Sequence, residues 1–292
     1  MSIARFVPSI VRFFFAVLLS VCCIFLTGDC TGDGPQTEPA PGYPLTLNGL
    51  TFNEPPSTVV SLSPAISSIL GQKSFSDTLV GCESGLSLSV RSDCGNLISP
   101  DFDAIANCSP DAVIACGDIS AEMLSAFSQR NIKLCVFGVP KTLNELEQFY
   151  RELGSIFFGE KKGDEFAKRE LMPLLDTLRK AEKRDAVPRI AMLLSDAPSS
   201  ATGDTIAGEI LRCFGKNAAE SATGYNFDYE QIIASKPDIV FVSESIELDS
   251  LPIGFANIHC VSVDTSALEC PTAALSELAK SMDSAIDEYY SE

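Results

Sequence analysis

One short line of sequence occurs twice in this chain. Asp101-Phe102-Asp103-Ala104-Ile105, followed by Pro110-Asp111-Ala112-Val113-Ile114, returns as Asp228-Tyr229-Glu230-Gln231-Ile232, followed by Pro237-Asp238-Ile239-Val240-Phe241. Asp103 and Glu230 stand 127 residues apart, and so do Pro110 and Pro237. Solenoid repeats recur at about 20–50 residues, so this offset is too long for one. Each copy reads as an acidic first turn, a short helix, a Pro-Asp corner and a β-branched strand. Two such units predict two similar α/β lobes that face each other across a cleft. A coincidental pair of ordinary helix-to-strand connections is the competing explanation.

The flanking sequence alternates strand and helix, the pattern of parallel sheets. In the first half, strands are predicted at 59–62, 78–81, 112–116 and 133–137, with helices at 64–70, 102–107 and 121–129. Pro64 sits in a first helical turn, where a missing N–H costs nothing, and Gly71 ends that helix. Thr142 and Glu145 have the spacing of a reciprocal capping box. Leu143, Leu146, Phe149, Tyr150 and Leu153 then mark one face of a helix. Gly159 and Gly163 interrupt the pattern, and a second helix is expected from Asp164 to about Lys183. Its apolar stripe is Phe166, Leu171, Leu174, Leu175 and Leu178, with a kink at Pro173. Beyond Pro188 the alternation resumes, with strands at 190–194 and 257–263 and helices at 205–213 and 272–290. The expected organisation is a leader at 1–29, a tether at 30–56, an α/β lobe at 57–140, a helical connector at 141–186 and a second lobe at 187–292.

The N-terminus resembles an export signal. Arg5 and Arg12 precede an apolar run from Phe13 to Leu26, interrupted only by Ser20 and shorter than the roughly 18 residues of a membrane span. Pro/Gly-rich sequence from Thr31 to Pro44 reads as a tether. Cys30 is the candidate lipid anchor by position. A bacterial lipobox places a small residue before the cysteine, whereas Asp29 precedes Cys30 and Val21 precedes Cys22. Local chemistry therefore favours neither, and an uncleaved anchor remains open.

Eleven cysteines in an exported chain would ordinarily signal disulfides. Here Cys116 and Cys135 lie inside apolar strand-like runs, where a thiol serves as a small hydrophobe. No Cys-x-x-Cys pair occurs, which disfavours structural zinc and thioredoxin-type chemistry. A Cys82–Cys94 bridge within one loop remains open. The formal net charge of −18 disfavours nucleic acid, whose phosphates would be repelled.

Val59-Val60-Ser61-Leu62-Ser63-Pro64-Ala65 followed by Leu79-Val80-Gly81 resembles the opening of class III substrate-binding proteins of ABC transporters, the receptors for vitamin B12, ferric siderophores and haem. The resemblance continues through the doubled unit, Leu153-Gly154, Gly215-Lys216-Asn217 and Tyr229-Glu230-Gln231, over roughly residues 57–290. It implies a monomeric two-lobed α/β receptor whose lobes, each a central β-sheet flanked by helices, are bridged by a rigid helical connector. A bulky metal chelate, such as a siderophore, corrinoid or haem, would lie between the lobes, with no resident cofactor or directly bound metal. One acid from each lobe would dock onto arginines of the permease dimer, and these fall at Asp103 and Glu230. The protein would be exported to the outer face of the cytoplasmic membrane or the periplasm, touching membrane only through its N-terminal anchor. Helix N-termini also attract acids through the helix dipole alone.

The ligand is less legible. Cleft candidates by position are Ser63, Glu83, Ser84, Arg91, Phe102, Asp118, Asp196, Tyr225, Phe227 and Asp264, the aromatics being suited to stacking on a planar chelate. Vitamin B12 receptors typically line the cleft with tryptophan, and this chain has none. Asp264 matches an acid of those receptors, but Leu268 replaces the arginine that follows. Loss of the usual cleft tryptophans keeps a ligand-poor surface adaptor or sensor open as the alternative.

The chain is not expected to be an enzyme. Its sole histidine, His259, lies in a predicted strand without a neighbouring loop nucleophile. Gly81-Cys82-Glu83-Ser84-Gly85 carries glutamate where a nucleophile elbow requires serine. The stretch from Gly208 to Asn217 has the wrong spacing for a phosphate loop.

Overall fold

A computed structural model describes residues 40–72, 75, 77–83, 91–195, 199–269 and 271–291. The leader expected at 1–29, Cys22, Cys30, Ser84 and Asp196 therefore lie outside the described residues.

Two parallel sheets organise residues 59–263. The first contains β3 (Val59–Ser61), β4 (Leu79–Cys82), β5 (Ser92–Asp93), β6 (Ala112–Cys116) and β7 (Leu134–Phe137), in the order β5-β4-β3-β6-β7. The second contains β8 (Arg189–Ser195), β10 (Lys216–Asn217), β11 (Ile239–Ser243) and β12 (His259–Val263), in the order β10-β8-β11-β12, with β9 (Ser199–Ser200) antiparallel to β8. In the first sheet β4 and β5 lie on one side of β3 and β6 and β7 on the other; in the second, β10 lies on one side of β8 and β11 and β12 on the other. The chain therefore reverses direction of travel between β3 and β6, and again between β8 and β11.

Side-chain alternation explains why these strands read as continuous apolar runs. Val59, Ala112, Ile114, Cys135 and Phe137 enter one apolar cluster, while Val60, Val113 and Ala115 enter another. In the second sheet Ile190, Met192, Ile239 and Phe241 join that first cluster, and Ala191, Leu193, Val240 and Val242 form a third. Successive residues face opposite sides of a strand, and a parallel sheet is covered on both. One face of each sheet thus contributes to a shared core, and the other carries a core of its own.

The shared core is completed by helices α4 (Leu143–Phe158) and α5 (Glu160–Ala181). Leu146, Phe149, Tyr150 and Leu153 of α4 are buried there, with Phe166, Leu171, Leu174 and Leu178 of α5, as the 3.6-residue periodicity predicts. Gly159 joins the two helices at φ +78°, a conformation glycine tolerates without a side-chain clash. Gly163 does not interrupt α5, which starts at Glu160 rather than Asp164 and continues through Pro173. The 22 residues of α5 span about 33 Å at 1.5 Å each. Tyr150 Oη accepts a hydrogen bond from Ala273 N at 2.7 Å, and Arg184 contacts Asp283 and Asp287 at 2.7 and 2.6 Å. These bonds fasten the connector region to the C-terminal segment and its helix at Leu275–Tyr289.

Residues 43–52, expected to belong to a tether, are instead packed against the fold. Leu45–Leu47 (β1) and Leu50–Phe52 (β2) form an antiparallel hairpin, with Leu45 and Phe52 buried. Tyr43 Oη donates to Ile156 O at 2.7 Å. The capping box at Thr142 also differs from its sequence pattern. Thr142 Oγ1 accepts from Glu145 N, but Glu145 Oε2 reaches past it to Lys141 N at 2.7 Å. Cys82 and Cys94 are free thiols. No helix among the described residues is long and apolar enough to cross a membrane.

Candidate functional site

The repeated line folds into the same device twice. In the first copy, Asp101 caps α2 (Phe102–Cys108), accepting from Asp103 N and Ala104 N at 3.1 and 2.9 Å. In the second, Asp228 caps α7 (Tyr229–Ser235) and forms a reciprocal capping box with Gln231. Ile105 and Ile232 are each fully buried beneath their helix. The helices end at Ser109 and Lys236, both left-handed, with φ of 46° and 51°. Asp111 then accepts from Ser57 N and Thr58 N at 2.7 and 2.9 Å, and Asp238 from Arg189 N at 2.7 Å. Each acid thereby holds the entry to the neighbouring strand. Hydrogen bonds from Thr58 and Ser57 keep the Asp111 carboxyl below the usual range. Asp103 and Glu230 are exposed on the first turns of these helices. Both helices cover the sheet faces that turn away from the shared core.

Open α/β sheets bind ligands beyond the carboxyl ends of their strands, beside the point where strand order reverses. Ser63, Glu83 and Asp118 follow β3, β4 and β6 at that edge, and Asp264 follows β12. Ser63 and Glu83 are only 4 and 5 % exposed. Ser63 Oγ accepts from Cys116 N at 3.0 Å and ties β3 to β6 across the reversal. Glu83 Oε2 accepts from Ser67 Oγ, which also contacts Ser61 Oγ at 2.8 Å. Burial pushes the Glu83 carboxyl up, partly opposed by the Ser67 hydrogen bond. Its Oε1 has no partner among the described residues. Asp118 is exposed, and Arg91 is half-buried within electrostatic reach of the Cys82 thiol. Exposed Asp264 accepts from Ser266 N at 2.9 Å, starting the short helix Ser266–Glu269, and the Ser266 hydroxyl, followed by its N–H, keeps the carboxyl low.

The second lobe supplies a more open wall. A cavity of about 290 Å³ lies between Val139, Pro140 and Lys141 on one side and Asp204, Thr205, Ile206, Gly224, Tyr225, Leu268 and Pro271 on the other. A neighbouring cavity of about 210 Å³ shares Ile206, Tyr225 and Leu268. The first approaches the lower end of small-molecule sites, about 300–1,000 Å³. Tyr225 is 44 % exposed and held in the left-handed region at φ 65°. Thr202 Oγ1 accepts from Tyr225 N at 3.1 Å and donates to Asp204 Oδ1 at 2.6 Å. Gly224 N donates to both Asp204 oxygens, at 3.1 and 3.0 Å, and Ser200 N donates to Tyr225 O at 3.1 Å. The Thr202 hydroxyl, followed by the Gly224 N–H, holds the Asp204 carboxyl below its usual range. The aromatic ring is thus displayed by a clamped turn. Glu209 Oε2, on the helix Ile206–Phe214, accepts from Leu143 N at 2.7 Å, linking the second lobe to the first turn of α4.

Two aromatic candidates lie elsewhere. Phe102 packs edge-on against Phe127 at 5.0 Å, with Arg130 over its ring at 4.2 Å. Phe227 packs against the second lobe's separate core. Asp204 and Lys141 were not expected at the cleft, because isolated polar loop residues carry no periodic signal. His259 lies in β12 with its ring 5.3 Å from that of Tyr289, in keeping with a strand histidine.

A sequence profile described as periplasmic binding protein matches residues 59–257, from the first strand of the first sheet almost to the last strand of the second. The chain belongs to the periplasmic binding protein family. Three solved structures have a similar fold. The apo periplasmic haem-binding protein RhuT from Roseiflexus sp. RS-1 is 18 % identical, with TM-score 0.65, covering 80 % of this chain and 98 % of that one. The periplasmic vitamin B12-binding protein BtuF of Vibrio cholerae is 17 % identical, with TM-score 0.61 and coverage of 82 and 99 %. The petrobactin-binding protein YclQ of Bacillus subtilis is 18 % identical, with TM-score 0.63 and coverage of 80 and 93 %. A search of curated proteins returned no match. The class III resemblance read from the sequence is borne out, and periplasmic binding proteins are extracytoplasmic transport binders rather than catalysts.

Proposed function

We propose that this periplasmic binding protein is the monomeric substrate-binding component of an ABC importer, capturing a ferric siderophore, corrinoid or haem and delivering it to the permease. The cavity walled by Tyr225 at the carboxyl edges of both sheets carries the reading. A clamped, half-exposed tyrosine offers a face to a planar or chelated ligand. Asp103 and Glu230 serve as permease contacts, since equivalent acids on two similar lobes suit a dimeric partner with its own twofold axis. An export leader and Cys30 supply delivery to, and attachment at, the outer face of the membrane.

The use of Ser63 and Glu83 in internal bonds favours a second reading, a surface adaptor on the same fold that captures little or no ligand. Thermal unfolding with cobalamin, cobinamide, haem and ferric siderophores separates the two. A ligand at 100 times its Kd stabilises by about 2.7 kcal/mol, which raises Tm by about 5–10 °C in a chain of this size. A shift with one ligand class, lost in Tyr225→Ala, supports capture at this cleft. Flat melting curves across the panel support the adaptor.

A further inference from the structure

Two thiols meet beside Gly81. Cys94 Sγ lies 3.9 Å from Cys108 Sγ, near van der Waals separation for two sulfurs. Cys94 follows β5, whereas Cys108 is the last residue of α2, so their contact joins the sheet edge to the end of a helix. Gly81 makes the room. A Cβ there would lie 2.5 Å from Cys94 Sγ and 3.3 Å from Cys108 Sγ, so a side chain would occupy the space where the sulfurs meet. The backbone around the pair is already fixed, because Cys94 N donates to Cys82 O and Asp101 N donates to Cys94 O, both at 2.9 Å.

We propose that Cys94 and Cys108 form a disulfide that closes a 15-residue loop around α2 and staples this helix to the edge of the first sheet. A disulfide requires an S–S distance of about 2.05 Å, so the sulfurs must approach by roughly 1.9 Å, a movement within reach of side-chain rotation. The oxidant is a small-molecule or protein disulfide, as found outside the cytoplasm. Cys108, the less buried thiol, attacks as thiolate, forming a mixed disulfide and releasing one thiolate. The Cys94 sulfur then loses its proton, attacks Cys108 Sγ and releases the second. Two protein thiols are oxidised and one external disulfide is reduced to two thiols, the two protons passing to the thiolates released. Burial first, then the neighbouring Cys108, raises the Cys94 thiol pKa, which suits it to the resolving rather than the attacking role. Cys82 also lies nearby, within electrostatic reach of Cys94. A Cys82–Cys94 bridge is therefore the principal rival.

The test is oxidation of the full chain with glutathione disulfide, followed by alkylation of free thiols in denaturant and peptide mass mapping. The expected product links the Cys94 and Cys108 peptides, two hydrogens lighter than the pair, and is lost in Cys94→Ser and Cys108→Ser but retained in Cys82→Ser. Oxidised protein should melt about 5–10 °C above reduced protein, as expected for closing a 15-residue loop. Alkylation of both residues after oxidation, or a dominant crosslink through Cys82, overturns the proposal. Comparing oxidised with reduced wild-type chain keeps the test valid if a serine variant fails to fold.

Discussion

Glu83 is a carboxyl whose surroundings oppose its ionisation. Its folded pKa is raised by burial, so the native state holds a proton that the unfolded chain releases near pH 4.3. Stability from this group is therefore fully present below that pH and declines as pH rises through the folded value. Glu83→Gln keeps an acceptor for Ser67 and removes the titration. The variant should match wild type near pH 4 and exceed it at pH 7, as urea unfolding at the two pH values would measure. Equal stability at both would show that Glu83 ionises freely in the fold. Such features explain which site residues could be read in advance. Tyr225 was one of the aromatics among the cleft candidates chosen by position, and the structure places it in the cavity wall. Phe102 and Phe227 looked equivalent in sequence, yet their rings fill separate cores. Asp204 and Thr202 act through loop geometry that no spacing rule reveals.

At the scale of elements, α4 and α5 depend on close contact at Gly163. A Cβ at this position would meet Ser155 Oγ and lie 2.6 Å from Arg151 O and 2.8 Å from Ser155 N, all on α4. Backbone atoms cannot swing aside as a side-chain tip can. Gly163→Ala should therefore destabilise by about 1–3 kcal/mol through overpacking, despite the better helix propensity of alanine. A lower urea midpoint with unchanged m would record it, whereas a higher midpoint would mean that the helices separate easily. The helices themselves were legible because their apolar stripes keep the 3.6-residue period over many turns. The hairpin of β1 and β2 was not, since three-residue strands beside Pro and Gly have the composition of a loop. Gly163 was misread as a helix break because a glycine chosen for helix contact looks, in sequence, like one chosen for a turn.

For the whole molecule, the offset of 127 residues was the most informative sequence feature, and it extends to roles that residue identity conceals. Ser109 and Lys236 share neither size nor charge, yet both end a helix in the left-handed conformation. If Asp103 and Glu230 form the two halves of a permease contact, Asp103→Arg and Glu230→Arg should each impair uptake and together abolish it. Ligand affinity, measured by titration on the purified variants, should stay at the wild-type value. A fall in affinity would instead assign these acids to the cleft or to folding. The shared core has a consequence for how the protein is made. Cutting the chain between the sheets would leave each fragment with a raw apolar face that its own residues cannot cover. Neither half would be a soluble receptor fragment, and a ribosome that has finished only the first sheet holds a product still waiting for its other side.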